Sequence, residues 1–240
     1  MIKIANFYPA QLNNNSDGGN LRALVHRIEA RGLQAKVREI SLGPIESLDQ
    51  VDIILLNSGL NSSLPLLADD LIEHKLEHLK SALARGTSVL AIASGFYFLG
   101  KKIHLGEQSF SGAGILPLEY RESNQRHVGN TIVSFSDLEK PLVGFANHRG
   151  DVLLEDGASA FAQVIKGYGN DQEGTLEGCR LGNIWATHLH GPLLIYNPHF
   201  ADYILAKTPA AKNLDLNQKD MDDEAEWQAH EKIKERAMVQ

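Results

Sequence analysis

The sequence predicts an α/β fold built on a mostly parallel sheet, and three observations support this prediction. Short apolar runs rich in β-branched residues alternate with segments in which apolar residues recur every three or four positions. Strands and helices that alternate in this order form parallel sheets with right-handed crossovers. One run, Ser88–Ile92, is almost entirely apolar and is followed at once by small residues, as expected for a strand buried in the middle of such a sheet.

The first elements follow one another at short intervals. A strand is predicted over residues 2–8, where Pro9 stops it, and the polar segment 11–20 has the composition of a surface turn. The next helix ends at Gly32 and has its apolar residues on one face, at Leu21, Leu24, Val25 and Ile28. Two more strands are predicted over residues 34–40 and 51–56. A second helix ends at Gly86, with an apolar face formed by Ile72, Leu76, Leu79 and Leu83.

The most specific local signal is the stretch 87–100, which reads T-S-V-L-A-I-A-S-G-F-Y-F-L-G. A buried strand, a turn of small residues and a short helix together predict a nucleophile elbow, in which the turn lifts one side chain over the C-terminal edge of the sheet. Small residues are needed there because the backbone and the reacting group are crowded. The residue at the tip is predicted to be Ala93, whose methyl group cannot act as a nucleophile.

From about residue 109 the pattern changes to short β-rich segments separated by turns, many of which contain glycine. This half is predicted to be antiparallel or mixed and to extend the same sheet. The predicted strands cover residues 131–135, 142–145, 152–154, 162–165 and 183–186. A helix is predicted over residues 198–207, with Tyr203 and Leu205 buried. The charged residues 219–240 predict an amphipathic helix resting on the domain or on a partner, with disorder as the alternative. We therefore divide the chain into a domain of residues 1–207 and a tail of residues 208–240.

Composition excludes several classes of protein. The chain has 240 residues and a formal net charge of -7, and it has no basic stripe, which argues against nucleic acid as a partner. Cys179 is the single cysteine, so no internal disulfide can form, as is usual in a reducing compartment. The N-terminal segment does not resemble a signal peptide, and no apolar run approaches the roughly 20 residues of a membrane span. A cytoplasmic protein is therefore expected.

Histidines cluster in the second half. If the strand that starts at Asn183 continues, it delivers His188 and His190 to one face, at the same sheet edge as the elbow, where a histidine can act as a general base. A histidine packed in the core or facing solvent is the alternative. A metal site can also be considered, formed by His148, His188, His190 and His199. No acidic or cysteine partner lies at a fixed close spacing, so we expect neither a metal nor a cofactor.

Several motifs lie along nearly the whole chain. They are L-N-N-N-S-D-G-G-N at 12–20, the elbow, S-G-A-G-I-L-P at 111–117, G-F-A-N-H-R-G at 144–150, G-Y-G-N at 167–170, H-L-H-G-P-L-L at 188–194 and D-D-E-A-E-W-Q-A at 222–229. Together they resemble the class I glutamine amidotransferases of the cobyric-acid-synthase type, and among these the glutaminase subunits of lipid II isoglutaminyl synthases. The resemblance implies a three-layer α/β sandwich with a mostly parallel central sheet.

The resemblance also implies a chemistry. In such a glutaminase a cysteine thiolate attacks the side-chain amide of glutamine, backbone N–H groups hold the tetrahedral oxygen, and a histidine passes a proton to the departing ammonia. The ammonia would reach a Mur-ligase-like synthetase subunit, the expected partner, which uses ATP to amidate the glutamate of the lipid II stem peptide in peptidoglycan synthesis.

The resemblance also implies roles for individual residues, according to the position that each occupies in the family's motifs. The family's elbow, C-G-G-Y-Q, corresponds to residues 93–97, so Ala93 takes the place of the nucleophile. His190 corresponds to the catalytic histidine, Gly59 and Ser94 to the oxyanion hole, and Arg126 and Tyr97 to positions that bind the glutamine substrate. The third member of the triad has no assigned residue, because in the nearest relatives the partner subunit supplies it.

The departures from the family lead to three hypotheses. The cysteine is Ala93, the elbow glutamine is Tyr97, and the glycine-rich loop G-G-G-S-D-R-E-Q is N-S-G-L-N-S-S-L at 57–64. Ser94 lies one position past the tip and Cys179 is expected to be packed, so neither replaces the thiol. The chain is then a pseudo-glutaminase that binds a synthetase, an active glutaminase with an engineered Cys-to-Ala change, or a non-enzymatic module that binds a small ligand or metal around His190 and Arg126. Three changes around one pocket favour the first hypothesis.

Overall fold

Two sheets make up the β-structure of the computed structural model, which describes residues 1–213 and 221–240. The strands of the described residues are β1 (Ile2–Phe7), β2 (Ala35–Ile40), β3 (Ile53–Leu56), β4 (Ser88–Ile92), β5 (Lys102–Leu105), β6 (Gln108–Ser111), β7 (Leu118–Ser134), β8 (Leu142–Leu154), β9 (Ala162–Lys166), β10 (Leu176–Glu177), β11 (Cys179–Leu181), β12 (Ile184–Thr187) and β13 (Leu189–His190). The α-helices are α1 (Gly18–Ala30), α2 (Leu64–His74), α3 (Leu76–Ala84), α4 (Ser94–Tyr97), α5 (Leu193–Tyr196), α6 (Pro198–Ala206) and α7 (Glu224–Val239).

The first sheet has six strands in the order β11-β12-β4-β3-β1-β2. Every neighbouring pair is parallel except β11 and β12. Strands β3 and β4 lie near the middle and are buried at every position, which explains why their sequences are apolar without alternation. The predicted α/β fold with a mostly parallel central sheet is confirmed. Because β1, β3, β4 and β12 run in the same direction, the connections that follow them meet at one edge of the sheet.

The second half of the chain does not extend this sheet as predicted, apart from β11 and β12. It forms a second sheet in the order β10-β9-β7-β5-β6, in which β8 pairs with β7 and β13 pairs with β8. The two predicted strands at 142–145 and 152–154 are parts of the single strand β8, which is antiparallel to β7 from Leu118↔Leu154 to Val133↔Leu142. The polar residues between them, such as Arg149, interrupt the apolar alternation, so the sequence pattern conceals one long strand.

The predicted helix with Ile72 and Leu76 on one face is two helices, α2 and α3, separated at Lys75. This break changes the register, so Ile72 is exposed and α2 instead buries Leu64, Leu67, Ala68 and Leu71. Lys75 is itself buried, and its ammonium donates to Asp70 and to the carbonyl of Gly43. An ion pair thus stabilises the break, which an apolar count alone does not detect.

Helix α7 packs on the second sheet at the end where β7 and β8 pair. Ala237 and Ile233 lie against Ile132 of β7 and Val143 of β8. Just before the helix, Asp223 accepts hydrogen bonds from the buried guanidinium of Arg27 in α1. The predicted helix began at 219, and residues 219 and 220 lie outside the described residues. In α6, Leu205 is buried as predicted, whereas Tyr203 is only partly buried.

Within residues 1–213 and 221–240, no helix combines the length and the apolar character needed to cross a bilayer.

Candidate functional site

The predicted strand, turn and short helix are present at the carboxyl end of β4. Ala93 lies between β4 and α4 with φ 45° and ψ -120°, a backbone conformation that residues other than glycine rarely adopt. Such a residue costs about 1–3 kcal/mol and persists only where its surroundings impose it. Gly95 explains the need for small residues, because a Cβ there would lie 2.2 Å from the carbonyl oxygen of Leu56. The chain has therefore kept the strained backbone of an elbow around a methyl group.

A cavity of about 460 Å³ opens above the elbow. Its walls include all six residues to which the sequence assigned a role, namely Gly59, Ala93, Ser94, Tyr97, Arg126 and His190. They come from the connections after β3 and β4, from β7 and from β13, so both sheets contribute. Their common position does not test the roles predicted for them, which stay predictions.

His190 reaches the cavity by a route that differs from the prediction. Strand β12 ends at Thr187, and the chain crosses to the second sheet, where β13 pairs with β8. His188 therefore does not share the cavity with His190. Its ring is buried and stacks on the ring of His148, with ring centroids 3.9 Å apart, and His188 is not among the residues that line the cavity.

The orientation of His190 is fixed by Asp17. The Nδ1 atom of His190 lies 2.8 Å from Oδ2 of Asp17, and both side chains are buried. A carboxylate at this distance accepts the Nδ1 proton, which leaves Nε2 as the nitrogen presented to the cavity. This Nε2 atom is buried and has no hydrogen-bond partner among the described residues. The aspartate and histidine thus have the arrangement of a general base and its orienting group.

Sequence reasoning missed Asp17, because the segment 11–20 was predicted to be a surface turn. Residues 11–17 do form a turn, in which Asn13, Asn15 and Ser16 are exposed. The prediction is wrong at the end of the segment, where Asp17 and Asn20 are fully buried and helix α1 already begins at Gly18. Asn15 and Ser16 have positive φ angles of 54° and 63°, which turn the chain inwards. The available signal was the motif L-N-N-N-S-D-G-G-N, whose aspartate had been given no role.

A chain of hydrogen bonds joins Arg126 to Asp17 along the wall of the cavity. Arg126 donates to Asn147 (Nη2–Oδ1 2.7 Å), Asn147 donates to Asn15 (3.1 Å), Asn15 donates to Ser58 (3.2 Å), and Ser58 donates to Asp17 (Oγ–Oδ2 2.6 Å). Every donor points towards the carboxylate, an order in which neighbouring bonds strengthen one another. The exposed arginine and the buried histidine are therefore held by one polar network.

Gly59 and Ser94 contact each other directly. The backbone N–H of Gly59 donates to the Ser94 hydroxyl at 2.6 Å, and that hydroxyl is 3.0 Å from the carbonyl oxygen of the same glycine, to which it donates in turn. Ser94 is buried. A Cβ on residue 59 would lie 2.1 Å from the carbonyl oxygen of Gln11, so this connection also packs closely against the segment after β1.

Tyr97 and charged residues complete the lining. The Tyr97 ring stacks on Tyr120, with centroids 3.8 Å apart, and its buried hydroxyl has no partner among the residues described. Burial, together with the neighbouring Tyr120 and Glu177, raises the pKa of Tyr97 well above its usual value, so the hydroxyl stays protonated. The wall of the cavity also carries charges of both signs, from the acidic Glu122 and the basic Arg126 and Arg149.

Behind the cavity lies the buried carboxyl group of Glu177. It accepts hydrogen bonds from the hydroxyl of Thr187 at 2.9 Å and from the backbone N–H of His188 at 2.6 Å. Burial raises the pKa of Glu177 to about 7, and burial also lowers the pKa of His188 to about 3. His188 is therefore neutral near pH 7, whereas Glu177 is about half ionised there.

Among residues 1–213 and 221–240, no three side chains of the histidine, cysteine, aspartate or glutamate type are grouped to hold an ion. Cys179 is fully buried in β11, away from the cavity lining, and burial raises the pKa of its thiol to about 12. Such a thiol is unreactive at neutral pH.

The chain is similar in sequence and in fold to known glutamine amidotransferases. Residues 3–198 match the sequence profile of the CobB/CobQ-like glutamine amidotransferase domain. The chain is 35% identical over 237 residues to the lipid II isoglutaminyl synthase (glutamine-hydrolyzing) subunit GatD of Staphylococcus aureus, which covers 98% of this chain and 96% of that protein. It is 29% identical over 213 residues to the GatD subunit of Streptococcus pneumoniae, which covers 88% of this chain and 81% of that protein. A glutamine amidotransferase of Thermotoga maritima has the same fold, with a TM-score of 0.55 at 13% identity over 99% of this chain and 96% of that one.

Proposed function

The chain belongs to the CobB/CobQ-like glutamine amidotransferase family, and on this premise we propose that it is a glutamine-amidotransferase-like subunit that has lost the hydrolytic step. One observation carries the proposal: the tip of the elbow is Ala93. Hydrolysis through an acyl-enzyme needs a nucleophile at this point, and its removal lowers turnover by a factor of up to roughly a million. The buried Cys179 cannot take over, because it does not line the cavity.

The remaining groups support binding of glutamine without cleavage. Glutamine carries a carboxylate, an ammonium group and a carboxamide, and the cavity offers Arg126 and Arg149 for the first and Glu122 for the second. The unpartnered Tyr97 hydroxyl and His190 Nε2 lie beside the elbow, where a carboxamide would find a donor and an acceptor. In this proposal His190 and Asp17 hold the amide in place but transfer no proton.

For the partner we propose a Mur-ligase-like synthetase. The relatives from Staphylococcus aureus and Streptococcus pneumoniae are, by their names, subunits of a lipid II isoglutaminyl synthase, and the first aligns with 98% of this chain. The chain would then bind the synthetase and regulate it according to the glutamine supply, while the synthetase amidates lipid II in peptidoglycan synthesis with free ammonia.

Two measurements on the purified chain test this proposal. Ammonia release from L-glutamine should stay at the background rate, while calorimetry with L-glutamine should detect binding that Arg126→Gln weakens. Arg121→Gln is the matched control, because Arg121 lies on the same strand but outside the cavity lining. Ammonia release by the unaltered chain, or binding that is equal in the two variants, would contradict the proposal.

The two other hypotheses predict different results. An engineered Cys-to-Ala change predicts that Ala93→Cys alone restores hydrolysis. A small-ligand module predicts that no Mur-ligase-like protein copurifies with the chain. Tyr97 and the loop at 57–63 disfavour the engineered change, since they also differ from the family around the same pocket.

A further inference from the structure

We propose that the Ser94 hydroxyl is a second, independent block on hydrolysis, because it occupies the backbone donor that a tetrahedral oxygen would need. This inference rests on the proposed loss of hydrolysis and adds a cause that is separate from Ala93. It predicts that a thiol at the elbow is not sufficient for activity.

The argument begins with the geometry of elbows in general. An oxyanion hole beside a nucleophile elbow combines the N–H of the residue after the tip with an N–H from the connection that follows a neighbouring strand. Here the residue after the tip is Ser94, and the connection after β3 contributes Gly59 to the same cavity. Gly59 therefore lies where the second donor is expected.

That donor is already used. The Gly59 N–H points at the Ser94 hydroxyl over 2.6 Å, and the hydroxyl is anchored in turn by the Gly59 carbonyl at 3.0 Å. The hydroxyl contacts both backbone groups of one residue, and the Ser94 side chain is buried, so the pair of bonds holds it in place. A substrate oxygen would have to displace it and leave a buried hydroxyl with one bond fewer.

Packing prevents the connection after β3 from shifting and presenting the Gly59 N–H at another position. Gly59 approaches the carbonyl oxygen of Gln11 so closely that even a Cβ would meet it at 2.1 Å. The position of the N–H is thus fixed by packing on one side and by Ser94 on the other. Removing one donor of an oxyanion hole lowers turnover by about 100- to 1,000-fold.

The test compares L-glutamine hydrolysis by Ala93→Cys with hydrolysis by the double variant Ala93→Cys/Ser94→Gly. In the double variant the thiol sulfur bonds to the amide carbon and the π electrons move to oxygen. The carbonyl then re-forms as the C–N bond breaks, and the nitrogen leaves as ammonia with the thiol proton that His190 carried. Water attacks the resulting thioester, the C–S bond breaks, and glutamate and the free thiol are released. We expect the double variant to turn over at least about 100-fold faster than the single variant. Ala93→Cys/Ser94→Ala removes the same hydroxyl and should also be fast, which provides a second variant if glycine impairs folding. Ala93→Cys/Ser109→Ala, altered on the distant strand β6, should match the single variant.

Hydrogen exchange of the Gly59 amide provides a readout that needs no catalysis. The amide should exchange faster in Ser94→Gly than in the unaltered chain. Equal turnover with and without the Ser94 change would overturn the inference, as would an unchanged exchange rate. Turnover in neither variant, with faster exchange, would also overturn it, because the freed donor would then not be what limits the reaction. Failure of this inference is distinguishable from failure of the proposed function. Ammonia release by the chain with Ala93 in place contradicts the proposed function, whereas fast hydrolysis by Ala93→Cys alone contradicts the block by Ser94 and favours the engineered change.

Discussion

Replacing Arg27 by methionine should lower the free energy of unfolding by about 3 kcal/mol. The guanidinium is only 4% exposed and joins three helical segments. Its Nε and Nη2 atoms donate to Asp202 of α6 at 2.7 and 2.5 Å, and Nη1 donates to Asp223 at the start of α7 at 2.5 Å. Burial alone would lower the pKa of the guanidinium, but the two carboxylates outweigh it and raise the pKa.

The magnitude follows from what the substitution leaves behind. Removing one partner of a buried ion pair costs about 3–5 kcal/mol, because the remaining charge is desolvated without compensation. The side chain of Asp202 is 38% exposed and keeps its bond to Arg31, which places the loss at the lower end of this range. For a chain of this size, 3 kcal/mol corresponds to a decrease in Tm of roughly 6–12 °C.

Urea denaturation and calorimetry measure this loss, and Lys80→Met is the matched control. Lys80 pairs with Glu77 on the surface, where both side chains are more than half exposed, so its loss should cost less than about 1 kcal/mol. Limited proteolysis should in addition release α7 earlier from the Arg27 variant. If Arg27→Met and Lys80→Met lowered the unfolding free energy equally, the argument from burial would be refuted.

Three further predictions concern the site. Glu177 binds its proton more tightly in the folded chain, with a pKa of about 7 against an ordinary value of 4.5. It therefore adds stability that is fully present below about pH 4.5 and is lost as the pH rises to about 7, a loss of about 3 kcal/mol. Glu177→Gln should abolish this loss. If urea titrations at pH 5 and 8 gave the same change in unfolding free energy for the variant and the unaltered chain, the prediction would be disproved. Ala93→Gly should raise the unfolding free energy by about 1 kcal/mol by relieving the positive φ, and a lower Tm would contradict the strain. Tyr97→Phe removes a buried hydroxyl that has no partner among the described residues, so it should stabilise the chain by about 1 kcal/mol. The same change should weaken glutamine binding. Stronger binding of glutamine in calorimetry would show that the hydroxyl does not bind it.

The elements that sequence alone predicted are those whose signals are local. The strand before Ala93 and the turn that follows lie within a few residues of each other, and an apolar run next to small residues has few alternative structures. The parallel sheet followed from the same kind of pattern. The resemblance supplied the positions of the six candidate site residues, which come from distant parts of the chain and have no common periodicity.

What escaped prediction depends on contacts that no local pattern encodes. Asp17 meets His190 across 173 residues, and a polar, asparagine-rich segment has the same composition whether it faces water or a buried histidine. Likewise, polar residues at the centre of β8 line the cavity, so the alternation of apolar and polar residues that predicts a strand is interrupted there. The break at Lys75 depends on Asp70, a pair that hydrophobic periodicity does not record.

The burial of Cys179 makes the Ala93→Cys variant useful beyond its enzymology. Burial raises the pKa of the native thiol to about 12, so almost none of it is ionised at pH 7, whereas a thiol at position 93 would line the cavity. A maleimide dye would therefore attach at the elbow alone. Its emission would test, without any turnover to follow, whether the proposed synthetase partner covers the mouth of the cavity.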